Sequence, residues 1–212
     1  MNVYSEPISF SIRAREIFAL TGRSGSGKTT LACAMMKLLP SDRFHVEGSV
    51  LFGRNDLLAA ESETRRVLLR STIRYVFQEP GQSFNPIARI GTQVGFMTDG
   101  SEEANERFHA LLTSFGLSEH RRLLRSYPHE LSIGTLQRIM IAAAAAPRPS
   151  LLIADEPTSA VDFVLKHAIM ERLCALCREG MSVLFITHDL PLARRYAHRI
   201  ARLSDGRLTE ER

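Results

Sequence analysis

The chain has 212 residues, of which 44% are hydrophobic, 24% charged and 7% aromatic, and its formal net charge is +4. This composition is typical of a globular protein with one substantial core. The basic residues form short, scattered clusters that solvated helix faces explain, so the charge gives no reason to expect a nucleic-acid partner. Three cysteines are too few for a disulfide framework.

The first third of the chain alternates between strand and helix patterns. A short apolar strand ending at Thr21 is followed by a glycine-rich turn and then by a helix that Pro40 ends. The predicted strands lie at residues 8–12, 16–21, 46–52 and 73–77, and the predicted helices at 28–39 and 61–71.

The pattern changes after Phe77. Residues 79–100 are rich in Gly, Pro, Ser and Asn, and residues 102–146 are almost wholly helical in pattern. Strand and helix patterns then alternate again, with strands at 151–155, 182–187 and 200–204 and helices at 163–178 and from Leu190. Apolar strands separated by helices predict a parallel sheet covered on both faces, with the helical stretch inserted as a lobe of its own.

Neither export nor membrane insertion is expected. Met1 leads into a polar segment rather than a signal peptide, and the apolar run 139–146 is too short to span a bilayer. Cys174 and Cys177 lie three residues apart in a helical pattern without a second pair, which favours free thiols over a zinc site. We expect a reducing, cytoplasmic setting in which a partner supplies any spanning helices.

The segment GRSGSGKTT matches the phosphate-binding pattern G-x-x-x-x-G-K-[ST] between a predicted strand and a predicted helix. Its glycines let successive backbone N–H groups face one anion at the positive end of the helix. Lys28 would reach the terminal phosphates of a nucleoside triphosphate, and the Thr29 hydroxyl would take a Mg²⁺ position. The predicted site comprises Gly22, Arg23, Ser24, Gly25, Ser26, Gly27, Lys28, Thr29 and Thr30.

Three side chains at predicted strand ends complete this chemistry. Asp155 ends the strand LLIAD, where its carboxylate could hold the Mg²⁺ shell. Glu156 follows, and strand alternation turns it another way, towards a water that attacks the γ-phosphate. His188 ends the strand SVLFIT at the same sheet edge, which favours a γ-phosphate contact. These residues predict nucleoside triphosphate hydrolysis without specifying the base.

Five motifs in this order, GRSGSGKTT, VFQEP, LSIGTLQR, LLIADEPTSAVD and ITHD, resemble the nucleotide-binding subunits of ABC transporters over nearly the whole chain. The resemblance implies an α/β fold of the P-loop NTPase (RecA-like) type, with a mainly parallel sheet, a small antiparallel β-subdomain and an inserted α-helical subdomain. It implies a single domain, 1–212, whose core with the β-subdomain covers 1–84 and 150–212 and whose helical subdomain covers 85–149. ATP and Mg²⁺ are the implied ligands.

The resemblance also assigns roles outside the phosphate loop. Gln78 corresponds to the glutamine that meets Mg²⁺ and relays to the transmembrane partner, and Asp162 to the D-loop aspartate. Ser132 and Gly134 fall in the signature motif, which contacts the γ-phosphate bound by the opposite subunit. His188 corresponds to the switch histidine. The family works as a dimer with two ATP molecules between its subunits.

Two stretches, QEPGQSFNP and YPHELS, resemble the peptide, nickel and opine importer branch. This implies the cytoplasmic face of the inner membrane, two permease subunits, an extracytoplasmic solute-binding protein, and a cargo such as a peptide, nickel, or a metal chelate or opine. The family's longer members carry a C-terminal extension, and this chain stops at Arg212, so we expect no function linked to that extension.

The signature motif departs from the family pattern. It is LSIGT where the family has LSGGQ or LSGGM, so Ile133 brings a β-branched side chain beside Ser132. The anion contacts expected there, from the Ser132 hydroxyl, the Gly134 N–H and the helix dipole, are not deleted. We therefore expect hydrolysis to be weakened, not abolished, and pairing with a homologous ATPase subunit, as a heterodimer in preference to a homodimer.

Other interpretations remain open. Tyr4 is the only upstream aromatic residue that could stack on adenine, and a strand or surface role is equally compatible with the sequence. A regulatory subunit that binds ATP but hardly hydrolyses it would explain Ile133, whereas Glu156 and His188 favour hydrolysis. A soluble ABC protein of DNA repair or translation would need a second cassette or a long coiled coil, and a P-loop kinase would leave the signature motif unexplained.

Overall fold

The computed structural model describes residues 4–98 and 100–211. Its strands are β1 Ile17–Thr21, β2 Leu51–Phe52, β3 Asn55–Asp56, β4 Ile73–Val76, β5 Leu151–Asp155, β6 Ser182–Thr187, β7 Arg199–Ser204 and β8 Arg207–Glu211. Its helices are α1 Lys28–Met35, α2 Ser62–Ser71, α3 Pro80–Ser83, α4 Ile90–Met97, α5 Glu102–Ser114, α6 His120–Arg125, α7 Ile133–Ala145, α8 Phe163–Arg178 and α9 Leu190–Tyr196, with a 3₁₀ turn at Pro128–Glu130.

Six strands form one sheet in the order β4-β5-β6-β1-β7-β8, and β2 and β3 form a separate pair. The pairings along the large sheet are parallel as far as β7, and β8 returns antiparallel to β7. The predicted mainly parallel sheet is therefore confirmed. Because parallel strands end at one edge, the sheet brings the ends of β1, β5 and β6 together, and ligands bind at that edge in open α/β sheets.

Alternate residues of the central strands bury against opposite layers. Ile17 and Ala19 of β1 belong to a core shared with α5, α7 and α8, whereas Phe18 and Leu20 belong to a second core with α1. These strands are buried on both faces, which explains their continuous apolar sequences.

Two strand predictions in the first fifty residues were wrong or too long. Residues 8–12 form no strand, although Ile8, Phe10 and Ile12 pack against the second core as their alternation implies. No strand among the described residues pairs with this segment. The alternation therefore predicted correctly which side chains pack inward, but the predicted strand was wrong. The predicted strand 46–52 is reduced to Leu51–Phe52, which pairs with Asn55–Asp56 across a tight turn.

Helix α1 ends at Met35, before the predicted limit at residue 39, and Lys37 takes a left-handed φ of 55° that cannot continue a helix. Four elements lay outside the predicted strands and helices. The segment 79–100 contains α3 and α4, β3 pairs with β2, and β8 adds a sixth strand at the sheet edge. The helical pattern of residues 102–146 is confirmed by α5, α6 and α7. Within residues 4–98 and 100–211, no helix combines the length and apolarity that a bilayer crossing requires.

Candidate nucleotide-binding site

A cavity of about 640 Å³ opens where the glycine-rich loop joins α1. Of the nine loop residues predicted from sequence, all but Ser26 line it. Lys28 begins α1, so the free N–H groups of the first helical turn and the loop amides face the same space. The predicted loop residues are thus brought to one cavity, where their backbone amides could hold an anion.

Glycine is required at the start of this loop. Gly22 has a φ of 156°, and a Cβ atom there would lie 2.4 Å from the carbonyl oxygen of Leu203 and 2.7 Å from Ser26 Oγ. The backbone carbonyl cannot move away as a flexible side chain could. Gly27, the N-cap of α1, has a left-handed φ of 97°, and its Cβ would lie 3.2 Å from the Tyr4 ring. Both positions therefore need a residue without a side chain.

The ammonium of Lys28 points back over the loop. Its Nζ donates to the carbonyl oxygens of Gly22 and Arg23 at 2.9 and 3.0 Å, and the residue is only 6% exposed. Burial lowers the pKa of Lys28, while the nearby charges of Glu156 and Asp155 act to raise it. Two neutral carbonyl oxygens are weaker partners for an ammonium than phosphate oxygens are. Lys28 could therefore exchange these contacts favourably for an anionic ligand.

The two carboxylates at the end of β5 lie in different surroundings. Asp155 is 1% exposed, and its Oδ2 accepts a hydrogen bond from the hydroxyl of Tyr75 at 2.8 Å. Its Oδ1 is buried without a hydrogen-bond partner among the described residues. Burial, and then the charge of Asp155, raise the pKa of Tyr75, so the phenol stays protonated and donates. Glu156, in contrast, lines the cavity.

Glu156 is held in an unusual backbone conformation. Its φ is 47°, in the left-handed region that costs a non-glycine residue roughly 1–2 kcal/mol. The Glu156 N–H donates to the Ile186 carbonyl oxygen at 2.9 Å, which fixes the turn against β6. The side chain therefore leaves the strand direction, and its Oε1 lies 2.8 Å from Nδ1 of His188. Strain of this kind concentrates at functional sites.

His188 and Gln78 also line the cavity with the loop. The parallel sheet thus brings residues 22–30, Gln78, Glu156 and His188 to one edge from four separate positions in the chain. Three further residues that line the cavity were not predicted from the sequence: Thr21 and Leu190, which directly adjoin predicted site segments, and Arg202. Arg202 lies on β7 in an otherwise ordinary strand pattern, and only the pairing of β7 with β1 places it there.

The signature residues lie outside this cavity. Ser132 is the N-cap of α7, and its Oγ accepts from the Thr135 N–H at 3.2 Å, as predicted for a helix start. Ile133 is 55% exposed, so its side chain points into solvent rather than into the core. Arg138 supports this first turn by donating to the carbonyl oxygens of Gly134 and Phe115, both at 3.0 Å.

The signature turn and the D-loop share one surface. A Cβ at Gly134 would lie 3.3 Å from both Val161 and Leu165, so the first turn of α7 packs closely against the start of α8. Asp162 caps α8, its Oδ1 accepting from the Leu165 N–H at 2.9 Å. Ser132, Gly134 and Asp162 are therefore brought near each other but are not joined to the phosphate cavity within this chain.

Tyr4 contacts the phosphate loop from outside. Its hydroxyl donates to the Gly27 carbonyl oxygen at 2.8 Å, and it is not among the residues that line the cavity. Burial raises the pKa of Tyr4 to about 12. These contacts secure the start of α1, and stacking of Tyr4 on adenine stays a prediction.

The residues predicted to hold Mg²⁺ offer suitable donors. The Thr29 hydroxyl and the Gln78 amide line the cavity, and the unpartnered Oδ1 of Asp155 lies at the same sheet edge. Mg²⁺ prefers such oxygen ligands and typically takes one or two carboxylates together with substrate phosphates. No group of three His, Cys, Asp or Glu side chains among the described residues could hold a metal alone. The donor set therefore fits an ion shared with a bound phosphate.

A glycine-rich loop, a buried lysine and two carboxylates at the end of one strand of a parallel sheet define a P-loop nucleotide-binding domain. The family described as ABC transporter matches residues 5–159, and this chain belongs to that family. The α/β P-loop NTPase fold predicted from sequence is confirmed by solved structures. The ATP-binding subunit of an ABC transporter superposes with a TM-score of 0.82 and 29% identity, covering 99% of this chain and 83% of that one.

A second solved relative is a dimeric ATP-binding cassette in a post-hydrolysis state bound to ADP and Pi. It has a TM-score of 0.80 and 29% identity, with 96% of this chain and 88% of that chain covered. Ligand and dimer are properties of that relative.

Curated relatives match over almost the whole chain. A peptidoglycan transport ATP-binding protein of Agrobacterium fabrum is 41% identical over 99% of this chain and 40% of its own length. A dipeptide transport ATP-binding protein of Haemophilus influenzae is 39% identical over 96% of this chain and 64% of its own length. The chain thus spans between two fifths and two thirds of the length of these relatives.

Proposed function

We propose that this chain binds and hydrolyses ATP as the nucleotide-binding subunit of an ABC importer. The observation that carries the proposal is that the loop, Lys28, Glu156 and His188 line one cavity. Each group has a distinct use there. The loop amides can bind phosphate oxygens, and the Lys28 ammonium can neutralise the charge of the terminal phosphates. The Glu156 carboxylate, paired with the His188 imidazole, can hold the attacking water.

In the proposed mechanism Lys28 exchanges its contacts with two carbonyl oxygens for β- and γ-phosphate oxygens of ATP. The amides of residues 22–30 hold the phosphates at the N-terminus of α1. Glu156 accepts a hydrogen bond from the attacking water and takes its proton as the water oxygen bonds to the γ-phosphorus and the bond to the ADP oxygen breaks. His188, 2.8 Å from Glu156, orients that carboxylate and reaches the γ-phosphate.

Thr29, Gln78 and Asp155 are the residues we propose for Mg²⁺. The ion, when bound, neutralises the charge that develops on the phosphate oxygens. The buried and unpartnered Oδ1 of Asp155 supports this role, because an isolated carboxylate oxygen at 1% exposure is costly unless a cation joins it.

We infer that the signature surface serves a second chain. Ser132, Gly134 and Asp162 do not line the cavity of their own chain, and Ser132, the N-cap of α7, is exposed. A homologous subunit that places its phosphate loop against this surface would complete a composite site. The exposed Ile133 supports a heterodimer. A different partner with an unobstructed signature motif would complete the phosphate site of this chain efficiently, so that only the site facing Ile133 would be impaired.

The same exposed Ile133 supports a second candidate function, a regulatory subunit that binds ATP and hydrolyses it poorly. The main proposal is preferred because Glu156 and His188 are both present and in contact. The ATPase turnover of the assembled complex distinguishes the two functions, because the site of a regulatory subunit would contribute little to it.

For cargo we propose a small solute, with a peptide first, in view of the names of the relatives, and nickel or a metal chelate or opine as the other choices of this branch. Two permease subunits and a solute-binding protein would complete the importer, with this chain bound peripherally at the cytoplasmic face of the membrane and without a nucleic-acid partner. Within the chain we infer a core of residues 1–84 and 150–212 and a helical subdomain of residues 85–149.

The test is ATP binding and hydrolysis by the purified chain and by its complex with candidate partners. We expect Mg²⁺-dependent ATP affinity in the chain, and its loss by roughly tenfold or more in Lys28→Ala, because an ion-paired hydrogen bond contributes about 1.5–3 kcal/mol. Lys37→Ala, at an exposed site that donates to Leu58, is the matched control. A wild-type chain without affinity for ATP would overturn the proposal.

A further inference from the structure

We propose that Tyr75 is a positioning residue for the metal-binding carboxylate of Asp155, a role that rests on the proposed ATP and Mg²⁺ function. The phenol fixes one carboxylate oxygen and leaves the other free for the ion. The sequence motifs give no hint of this residue, because Tyr75 lies eighty positions before Asp155.

The sheet register explains how the two side chains meet. β4 and β5 are parallel neighbours in which Tyr75 lies opposite Ile153. Side chains on a strand alternate faces, so Asp155, two residues beyond Ile153, lies on the same face as Tyr75. A diagonal neighbour of this kind is within reach of a long aromatic side chain. The Tyr75 hydroxyl accordingly donates to Asp155 Oδ2 at 2.8 Å.

The burial of both groups gives this bond its effect. Asp155 is 1% exposed and Oδ2 has Tyr75 as its partner, whereas Oδ1 has none among the described residues. A carboxylate with one oxygen anchored cannot rotate freely, so Oδ1 keeps a fixed direction. Carboxylates that ligate metals are themselves hydrogen-bonded by outer-shell partners, and Tyr75 takes that place beside Asp155.

The environment of the ring keeps the phenol in place. Tyr75 packs against the second core with its ring 4.4 Å from that of Phe77, and Cys33 of α1 is a further polar neighbour of its hydroxyl. α1 begins with Lys28 and Thr29, and β4 leads towards Gln78, three residues beyond Tyr75. Tyr75 therefore lies on the strand that leads to Gln78 and contacts both the helix that follows the phosphate loop and the carboxylate of β5.

The experiment measures metal affinity apart from turnover. Binding of a fluorescent ATP analogue to the full chain is titrated with Mg²⁺ and, without Mg²⁺, in EDTA, for wild type and Tyr75→Phe. Phenylalanine keeps the ring and removes only the hydroxyl. We expect the half-saturating Mg²⁺ concentration to rise about tenfold, as is typical on loss of an outer-shell partner, while affinity in EDTA stays at the wild-type value.

The matched control is Tyr196→Phe, which removes a hydroxyl that bonds to His167 Nδ1 at 2.7 Å away from the cavity. It should leave the Mg²⁺ requirement unchanged. If Tyr75→Phe fails to fold by circular dichroism, Tyr75→Leu is measured in the same way. Mn²⁺ binding followed by electron paramagnetic resonance gives a second readout, and excess Mg²⁺ should restore ATPase activity in Tyr75→Phe.

Two failures are distinguishable. A wild-type chain that shows no Mg²⁺-dependent affinity for nucleotide would overturn the proposed function itself. A wild-type chain that does show it, beside a Tyr75→Phe chain with the same Mg²⁺ half-saturation, would overturn only the role of Tyr75. A change in EDTA affinity as large as the change with Mg²⁺ would also contradict it, since the defect would then lie in nucleotide binding generally.

Discussion

The phosphate loop and the signature turn are both helix N-termini that match family motifs, yet only the phosphate loop lies in a cavity of this chain. Lys28 and Glu156 are each 6% exposed and hold partners from their own chain. Ile133, at the signature turn, is 55% exposed, and the Ser132 hydroxyl bonds locally with Thr135. The phosphate-loop region forms a buried cavity, and the signature region forms an exposed surface.

This difference gives a physical reason for the proposed division of one site between two chains. A buried cation or carboxylate needs its partners before ligand arrives, because an unpaired buried charge is expensive. An exposed hydroxyl and exposed helix amides are solvated and can wait for an anion at little cost. The buried region is therefore built within the fold, and the exposed region is compatible with the proposed contact to a second subunit.

The largest effect on turnover is expected at the buried cavity. Glu156→Gln keeps the shape and the contact with His188 but removes the base, so turnover of the assembled complex should fall about 10²-fold or more while ATP affinity is retained. Steady-state ATPase assays and equilibrium ATP binding measure the two. Glu47→Gln, at an exposed carboxylate beside His45, is the matched control. Wild-type turnover in Glu156→Gln would exclude Glu156 as the base.

A smaller effect of opposite sign is expected at the exposed surface. Ile133→Gly removes the side chain that would crowd a facing phosphate loop, so turnover of the assembled complex should rise up to about fivefold, or roughly 1 kcal/mol of barrier. Val67→Gly, at an exposed apolar residue of α2, controls for the cost of glycine in a helix. An unchanged rate in the complex would show that Ile133 does not handicap the composite site.

The smallest expected effect is a pH dependence of the helical region that carries the signature turn. His109 and His120 meet with their Nδ1 atoms 3.1 Å apart, and burial together with the neighbouring His120 lowers the pKa of His109 from its ordinary 6.5. The unfolded chain therefore binds a proton at higher pH than the folded chain does. His109 therefore leaves the free energy of unfolding unchanged above about pH 6.5 and lowers it as the pH drops below that value.

Thermal unfolding at pH 7.5 and 5.5 measures this effect. His109→Gln should lose less stability on acidification than wild type, by a midpoint difference of at most about 2–4 °C. The exposed His129→Gln is the matched control. Equal acid losses in wild type and His109→Gln would show that the pair does not limit the stability of this region.

Much of the fold followed from local patterns. The strands β1, β5 and β6 are apolar runs bounded by turns or helices, and burial on both faces leaves little choice of residue. Residues 8–12 show the limit of this reasoning: their alternation predicted the inward side chains correctly, but a strand also needs a neighbour with free backbone groups. β8 pairs with β7 although its sequence RLTEE is mostly polar, because an edge strand can face solvent.

The sequence by itself determined the phosphate loop, because Gly22–Thr30 is a local structure whose turn, cation and hydroxyl lie within nine residues. It also determined that Asp155, Glu156 and His188 stand at strand ends. Only the tertiary structure decided that Arg202 joins the cavity, that Glu156 meets His188, and that Tyr75 anchors Asp155. These depend on strand order and register, which set distances between residues far apart in the chain and which no local pattern encodes.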